Sequence, residues 1–380
     1  MIEPVGLEDR TAEVLRVLEE QRPTVLYVTG TCGVGKSTLA MRAGQVLAEH
    51  VGEPFWAIDL CHAPEAFPLA QHVEQILGKS SPETAADRGV LLLDNVDAAL
   101  AGSGLLSGGP GLWPTAVVAG LNPPRLLIVT ATRRTGSSRV QNWEVPPLKL
   151  PASPGGELSV PISEAGAVFL RAARHAGAEW SADEGAYPLV APICRQAMGV
   201  PEALIELAEL SVRTPLEVLA AASPIQLNGL LDAAGSAYLR KVRRTLASMS
   251  DAVRELHTAL SIVDGKVESE VGLALARALG GQREGLLLWR DAVLAGVLTS
   301  TSVGGGLYFG MPQLVRAVAA EWLVDSERSQ QLRQICDRLH VMSSTCHDER
   351  LLASLGDSES DLRSAGGRDK RADNPMRSCA

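Results

Sequence analysis

Nowhere in this sequence do about 18 uncharged apolar residues follow one another, so nothing in it is fit to cross a bilayer as a helix. Targeting features are also missing. Met1 is followed by Ile2, Glu3 and Pro4, which is neither a basic n-region nor the core of a signal peptide. The six cysteines, Cys32, Cys61, Cys194, Cys336, Cys346 and Cys379, form no C-x-x-C pair and have no histidine at zinc-finger spacing. That argues against a disulfide framework and a structural zinc, and makes a reducing cytoplasm the expected location. His62, His72, His175, His257 and His347 likewise have no partners at metal or triad spacing. Positive charge is not in excess: 35 Lys and Arg stand against 44 Asp and Glu, a net charge of −9. Non-specific nucleic-acid binding needs a basic footprint and is therefore disfavoured as the main activity. Nor is either end a charged arm, since residues 1–150 hold 12 basic and 16 acidic side chains and the remainder 23 and 28. No internal repeat of 20–50 residues is present, which excludes a TPR or HEAT array.

What is present is enough for several domains. At roughly 100–200 residues each, 380 residues predict two or three, and 46% apolar content can fill their cores. The first 150 residues alternate short apolar runs with longer amphipathic stretches, the pattern of a parallel sheet with crossover helices. Val25 to Thr29, Phe55 to Leu60, Val90 to Leu93 and Leu126 to Val129 are the expected strands, apolar at consecutive positions as if covered on both faces. Thr11 to Glu20 and Ser37 to His50 are the expected helices, and Gly102 to Gly111 an expected loop. Prolines at 146, 147 and 151 mark a boundary. Beyond it, Ser163 to Leu219 and Leu227 to Leu298 have helical spacing; a glycine turn then leads into Leu307-Tyr308-Phe309, a short strand or β-wing, and a helix over Pro312 to Leu323. The resulting division is a nucleotide-binding domain over 1–150, a helical domain over 151–225, a third domain over 226–325, a C-terminal helix over 326–356 and a disordered tail over 357–380. Trp289 and Trp322 lie on helical apolar faces and are expected in the core.

The strongest motif is Gly30-Thr31-Cys32-Gly33-Val34-Gly35-Lys36-Ser37, a full match to G-x-x-x-x-G-K-[ST], with Thr38 in the same turn. Glycines let successive backbone N–H groups turn inward and surround phosphates as an anion-binding nest. Lys36 places a point charge at the β/γ-phosphates, and the Ser37 hydroxyl ligates Mg²⁺. A helix starting at Lys36 presents its positive end to the same anion. The apolar strand before the loop and amphipathic helix after it supply the required context. Cys32 is either a small space-filler or a thiol made reactive by the helix N-terminus.

Val90 to Leu93 ends in Asp94, where P-loop proteins hold Mg²⁺ opposite the loop serine. The next residue is Asn95, and an amide cannot act as a general base. Asp97 either substitutes for that base or serves as a turn or cap residue. Tight ATP–Mg²⁺ binding with turnover slower than about 1 s⁻¹ is therefore expected. At the end of the fourth strand, Thr130-Ala131-Thr132-Arg133 lines the crevice where ligands of parallel sheets bind, and Arg133 is either a γ-phosphate sensor or a solvated surface arginine.

These residues together resemble the STAND class of signalling NTPases, in particular the NB-ARC-type modules of LuxR-like and SARP-like regulators. Val5-Gly6-Leu7 is similar to the family's opening "vGRe" motif, with Leu7 where arginine is usual; the resemblance implies that its backbone lies near adenine. Leu93-Asp94-Asn95 resembles the family's "LDN", Thr132-Arg133 its sensor, and Trp143 to Leu150 the segment leading into the helical domain. Gly199-Val200-Pro201-Glu202-Ala203-Leu204 resembles "GlPLAL", which implies that Pro201 packs beside the adenine. Met311-Pro312-Gln313-Leu314 stands where many members have "MHD", with Pro312 and Gln313 replacing His and Asp. The resemblance covers about residues 1–325. It implies an α/β P-loop NTPase domain with a parallel sheet, an all-α helical domain and a winged-helix domain, which close around ADP and open with ATP to oligomerise.

The leading expectation is thus an ATP/ADP switch acting in signal transduction or transcriptional regulation, with Mg²⁺ as cofactor, self-association in the ATP state and an effector protein as partner. A stand-alone oligomeric ATPase is a second reading, and would need an acid at 95 or an arginine finger. A winged-helix DNA-binding module is a third, drawing on Arg240, Lys241, Arg243 and Arg244; but four cations over five residues wrap around a helix and suit a solvated face. No output domain is recognisable within the 380 residues.

Overall fold

The computed structural model describes residues 5–21, 23–61, 89–97, 125–134, 140–151, 163–178, 180, 186–263, 265–303, 306–323, 330–332 and 334. The loop expected at 102–111, most of the helix expected over 326–356 and the tail at 357–380 lie outside the described residues.

Helix α1 (Leu7–Gln21) buries Thr11, Val14 and Leu18, an apolar stripe at helical spacing. It is followed by β1 (Val25–Thr29), α2 (Lys36–Val51), β2 (Phe55–Asp59), β3 (Val90–Asp94), β4 (Leu126–Ala131) and β5 (Gln141–Glu144). The five strands form one parallel sheet in the order β2-β3-β4-β1-β5. β1, β3 and β4 are buried along their whole length, as expected of uninterrupted apolar runs. β2 departs from that expectation: it sits at an edge, and of its residues only Ile58 is buried. Because side chains alternate across a strand, Leu26, Val28, Leu92 and Ile128 share one face with Val14, Leu39 and Ala43 of the two helices. Tyr27, Leu91, Leu93, Leu127 and Val129 take the other.

The rest of the described residues are mainly helical: α3 (Glu164–Ala176), α4 (Tyr187–Gln196), α5 (Pro201–Leu210), α6 (Leu216–Ala221), α7 (Pro224–Ala233), α8 (Ala237–Ala247) and α9 (Asp251–Leu260). Their starts are written in the sequence. Ser163 accepts the Gly166 N–H at 3.1 Å, Ser223 and Gln226 form a capping box, and prolines open α5 and α7. Next come β6 (Lys266–Glu268), α10 (Ser269–Gly280), α11 (Gln282–Leu294), β7 (Thr299–Val303), β8 (Gly306–Gly310) and α12 (Gln313–Ala320). The three strands form an antiparallel sheet in the order β6-β8-β7. One hydrophobic cluster runs from Leu148 to Leu332 and joins all these helices to that sheet. Trp289 is buried in it, edge-on to Phe309 at 5.2 Å. Trp322 is not: it lies beyond the end of α12, 37% exposed, with the Arg254 guanidinium 5.5 Å above its ring. A helix that ends at Ala320 no longer carries residue 322 on its apolar stripe, and a cation–π contact at the surface takes its place.

Candidate functional site

β1 lies between β4 and β5, so the chain leaves its carboxyl end at the point where the strand order changes direction, the usual place for a ligand crevice in a parallel sheet. Residues 30–35 form the turn there, and α2 begins at Lys36. Gly33 (φ 75°) and Gly35 (φ 99°) adopt left-handed backbone conformations that side-chain-bearing residues resist, so the glycines of the motif are required by the geometry. Lys36 Nζ folds back and donates to the carbonyls of Gly30 (3.1 Å) and Thr31 (3.0 Å). Burial lowers its pKa, while the charges of Asp97, Asp94 and Glu202 act in the opposite direction. Thr31 Oγ1 is buried and has no hydrogen-bond partner among the described residues.

Ser37 and Asp94, 57 residues apart in sequence, meet here: the hydroxyl donates to Oδ1 at 2.8 Å. Thr130 of β4, the strand between β1 and β3, donates to the same oxygen. Asn95 adopts a left-handed conformation (φ 59°), and its N–H donates to Thr130 Oγ1 at 2.9 Å. Its side-chain amide donates to Asp94 Oδ2 (3.2 Å) and Asp59 Oδ1 (2.9 Å). The asparagine therefore orients Asp94 as a buttress. Thr130, expected in the crevice at the end of the fourth strand, and Asp59, which no sequence motif signals, share that task.

Beside the loop lies a cavity of about 180 Å³. Gly35 and Thr38 line it with Val5, Leu7, Leu148 and Pro201, so the opening motif, the phosphate loop and the expected adenine-side proline converge on one apolar space. Arg10 also faces it, held by Glu164 at 2.8 Å, and Glu164 in turn accepts the Lys149 N–H at 3.1 Å. A Cβ on Gly6 would be in contact with this same glutamate. A larger cavity of about 660 Å³, lined by Leu18, Leu47, His50 and Arg125 among others, adjoins Leu126, the first residue of β4, at the opposite end of the sheet from the loop.

The helical half packs directly on the phosphate loop. The Glu202 N–H donates to Gly33 O at 3.2 Å, and a Cβ on Gly33 would lie 2.9 Å from Glu202 Cβ and 3.1 Å from Tyr238. Lys241 of α8 donates to Glu202 at 2.6 Å. Cys32 lies among these groups, and burial pushes its thiol pKa up, away from the thiolate that a reactive cysteine needs. On the other side, Asp97 accepts the Thr132 N–H, so it braces the loop after β4. That loop reaches the last third of the chain: the Arg134 N–H donates to Leu294 O at 2.9 Å, and a Cβ on Gly296 would run into the Thr132 carbonyl. Arg133 is half-buried, and its charge is felt at His257 of α9. The basic cluster on α8 is largely engaged within the protein. Arg243 pairs with Asp232 (2.6 Å) and Glu321 (2.9 Å), Lys241 with Glu202, and Arg240 bonds Gly235 O at 2.6 Å.

A nucleotide fits these residues: the nest of Gly33 and Gly35, the Thr31 hydroxyl, unpaired among the described residues, and an apolar cavity beside Thr38 suit phosphates at one end and a base at the other. Among the described residues no cluster of three or more His, Cys, Asp or Glu could cage a metal. The Ser37–Asp94 pair suits Mg²⁺, which keeps several waters and binds through one or two protein oxygens plus phosphate. There it would neutralise phosphate charge. Among the described residues no helix is long and apolar enough to cross a membrane.

Strand, phosphate loop and helix on a parallel sheet, with the loop serine bonded to the acid ending β3, define a P-loop NTPase fold. No family model matches the sequence. Uncharacterised proteins of Mycobacterium tuberculosis and Mycobacterium bovis are each 28% identical over 232 residues, 57% of this chain and 53% of theirs. The chain thus spans about half the length of the curated relatives it matches. Among solved structures, a STAND protein with a tetratricopeptide repeat sensor from Pyrococcus horikoshii overlaps 87% of this chain and 45% of its own, at 12% identity and a TM-score of 0.32. Cdc6p from Pyrobaculum aerophilum overlaps 89% and 96%, at 11% identity and a TM-score of 0.33. Likenesses at this level leave the function to be argued from the site.

Proposed function

We propose that this chain is an ATP/ADP-dependent switch in which Lys36, Ser37 and Asp94 hold nucleotide and Mg²⁺, Arg133 senses the γ-phosphate and Pro201 closes on the base. The observation that carries the reading is the packing of the helical half on the phosphate loop, through Glu202 N to Gly33 O, and on the loop after β4, through Arg134 N to Leu294 O. A nucleotide bound beneath such contacts meets groups from both halves, and differential affinity for joined and separated arrangements is what a switch requires. Residues 1–150 are the nucleotide-binding domain, 151–225 the helical domain and 226–325 a winged helix whose wing is the β7–β8 hairpin. Hydrolysis is slow because Asn95 is an amide spent on orienting Asp94. The output is a rearrangement that allows self-association and contact with an effector, in signalling or transcriptional regulation. Pairing of Lys241 and Arg243 within the chain counts against DNA as a direct partner.

The test is a size measurement by light scattering in the apo, ADP–Mg²⁺ and non-hydrolysable ATP–Mg²⁺ states. A larger species with the ATP analogue alone is the expected result. One size in all three states overturns the proposal.

A further inference from the structure

The geometry points to Glu202 as the group by which this site tells a nucleoside diphosphate from a nucleoside triphosphate, an inference that rests on the nucleotide reading above. A carboxylate at the second position of a helix needs no function to explain it, because the helix N-terminus favours negative charge. Glu202 is not confined to its own helix, however. Its N–H bonds to Gly33 O at 3.2 Å, and a Cβ on Gly33 would sit 3.0 Å from its Oε2, so the carboxylate lies directly against the phosphate loop. Lys241 comes from α8 to bond Oε1 at 2.6 Å. Tyr238, fully buried one turn before Lys241, walls off the same glycine.

An ion pair is thus seated on the outside of an anion-binding nest, with its negative member nearest the loop. That charge reaches Lys36, the cation assigned to the β- and γ-phosphates. A triphosphate brings about one more negative charge to this end of the site than a diphosphate, and like charges in a partly desolvated setting repel far more than in water. Lys241 offsets the repulsion incompletely, since its side chain is 55% exposed and solvent screens it. The joined arrangement accordingly favours the diphosphate. Triphosphate binding favours an arrangement in which the start of α5 has left Gly33, and the tie to Lys241 carries that displacement to α8.

The experiment is calorimetric titration of the full chain with ADP–Mg²⁺ and with a non-hydrolysable ATP analogue and Mg²⁺. It compares the parent chain with Glu202→Gln, Lys241→Met and Glu209→Gln, the last an exposed acid on the same helix. Glutamine keeps the shape of the side chain and the backbone bond to Gly33. In Glu202→Gln the preference for triphosphate over diphosphate should rise roughly tenfold, within the usual range of coupling between sites. Lys241→Met, which leaves the carboxylate uncompensated, should move it the other way, and Glu209→Gln should leave it alone. A purely structural pair would shift both affinities together. A preference within about twofold of the parent in Glu202→Gln overturns the inference while leaving nucleotide binding intact. Failure of Glu202→Gln to fold, read by thermal melting, marks the pair as structural and also overturns it. A parent chain that binds neither nucleotide removes the reading beneath it.

Discussion

Lys36, half-buried, and His257, fully buried, are both ionisable groups set into the protein, and they serve opposite ends. Among the described residues, the ammonium of Lys36 is held by two backbone carbonyls, at 3.1 and 3.0 Å, and burial works against its charge. Such a group contributes little to folding, because its hydrogen bonds barely exceed the cost of desolvation. An incoming phosphate changes that balance through a charge-assisted contact. Lys36→Ala should therefore weaken nucleotide binding at least ~100-fold while changing unfolding free energy by no more than about 1 kcal/mol. Nucleotide titration alongside urea unfolding measures both, and a variant that binds normally removes Lys36 from the site. His257 is fully buried, with Nδ1 2.8 Å from Val253 O, and burial lowers its pKa to about 4, helped by the nearby charge of Arg133. In the unfolded chain its pKa is near the ordinary ~6.5, so between these values the unfolded state binds the proton and the folded state does not. The contribution is complete above about pH 6.5 and drains away as pH falls toward 4, a loss of roughly 2–4 kcal/mol. His257→Gln should flatten the stability profile across that window, and an unchanged profile would place the acid sensitivity elsewhere.

Elements were legible wherever pattern and environment agreed. β1, β3 and β4 are apolar at consecutive positions because the sheet covers them on both faces, and the sequence shows it plainly. β5 reads Gln-Asn-Trp-Glu, a polar alternation that edge pairing with β1 alone turns into a strand, and β6 is the three residues Lys-Val-Glu. Neither has a local signal; tertiary pairing supplies what propensity does not. The same division holds for the site. The phosphate loop, Asp94 and the crevice residue Thr130 announce themselves by motif or position, whereas Asp59, Tyr238 and Lys241 reach the site only through the topology. Packing also reverses a local preference between α10 and α11. Alanine is favoured over glycine inside a helix by about 1 kcal/mol. Gly272, however, lies under the Trp289 ring, which is itself fixed against Phe309, and a Cβ there would meet the indole. Overpacking costs about 1–3 kcal/mol, so it should outweigh the propensity gain and make Gly272→Ala destabilising in urea unfolding. A more stable variant would mean that the indole can move aside.

At the scale of the molecule, backbone hydrogen bonds connect the parallel-sheet half and the segment leaving it to the helical half of the chain. Glu202 N to Gly33 O (3.2 Å) and Arg134 N to Leu294 O (2.9 Å) join loops on either side of the candidate phosphate site. Leu148 N to Gly199 O (2.9 Å) lies farther along the connecting segment, where Gly199 packs too tightly on the Leu148 carbonyl to admit a side chain. If the proposed switch operates by parting the halves, these bonds should not respond alike. The first two depend on surfaces that must separate; the third belongs to the pivot about which they turn. Amide hydrogen exchange resolves this, because exchange reports the free energy of opening each bond. A non-hydrolysable ATP analogue with Mg²⁺ should accelerate exchange at Glu202 and Arg134 at least ~10-fold relative to ADP–Mg²⁺, a difference of about 1.4 kcal/mol in opening free energy, while Leu148 stays protected in both states. Uniform protection at all three would mean that the halves remain joined whatever the nucleotide. Uniform acceleration would mean that the connecting segment melts instead of pivoting, and either result would require a different route from the phosphate site to the rest of the chain.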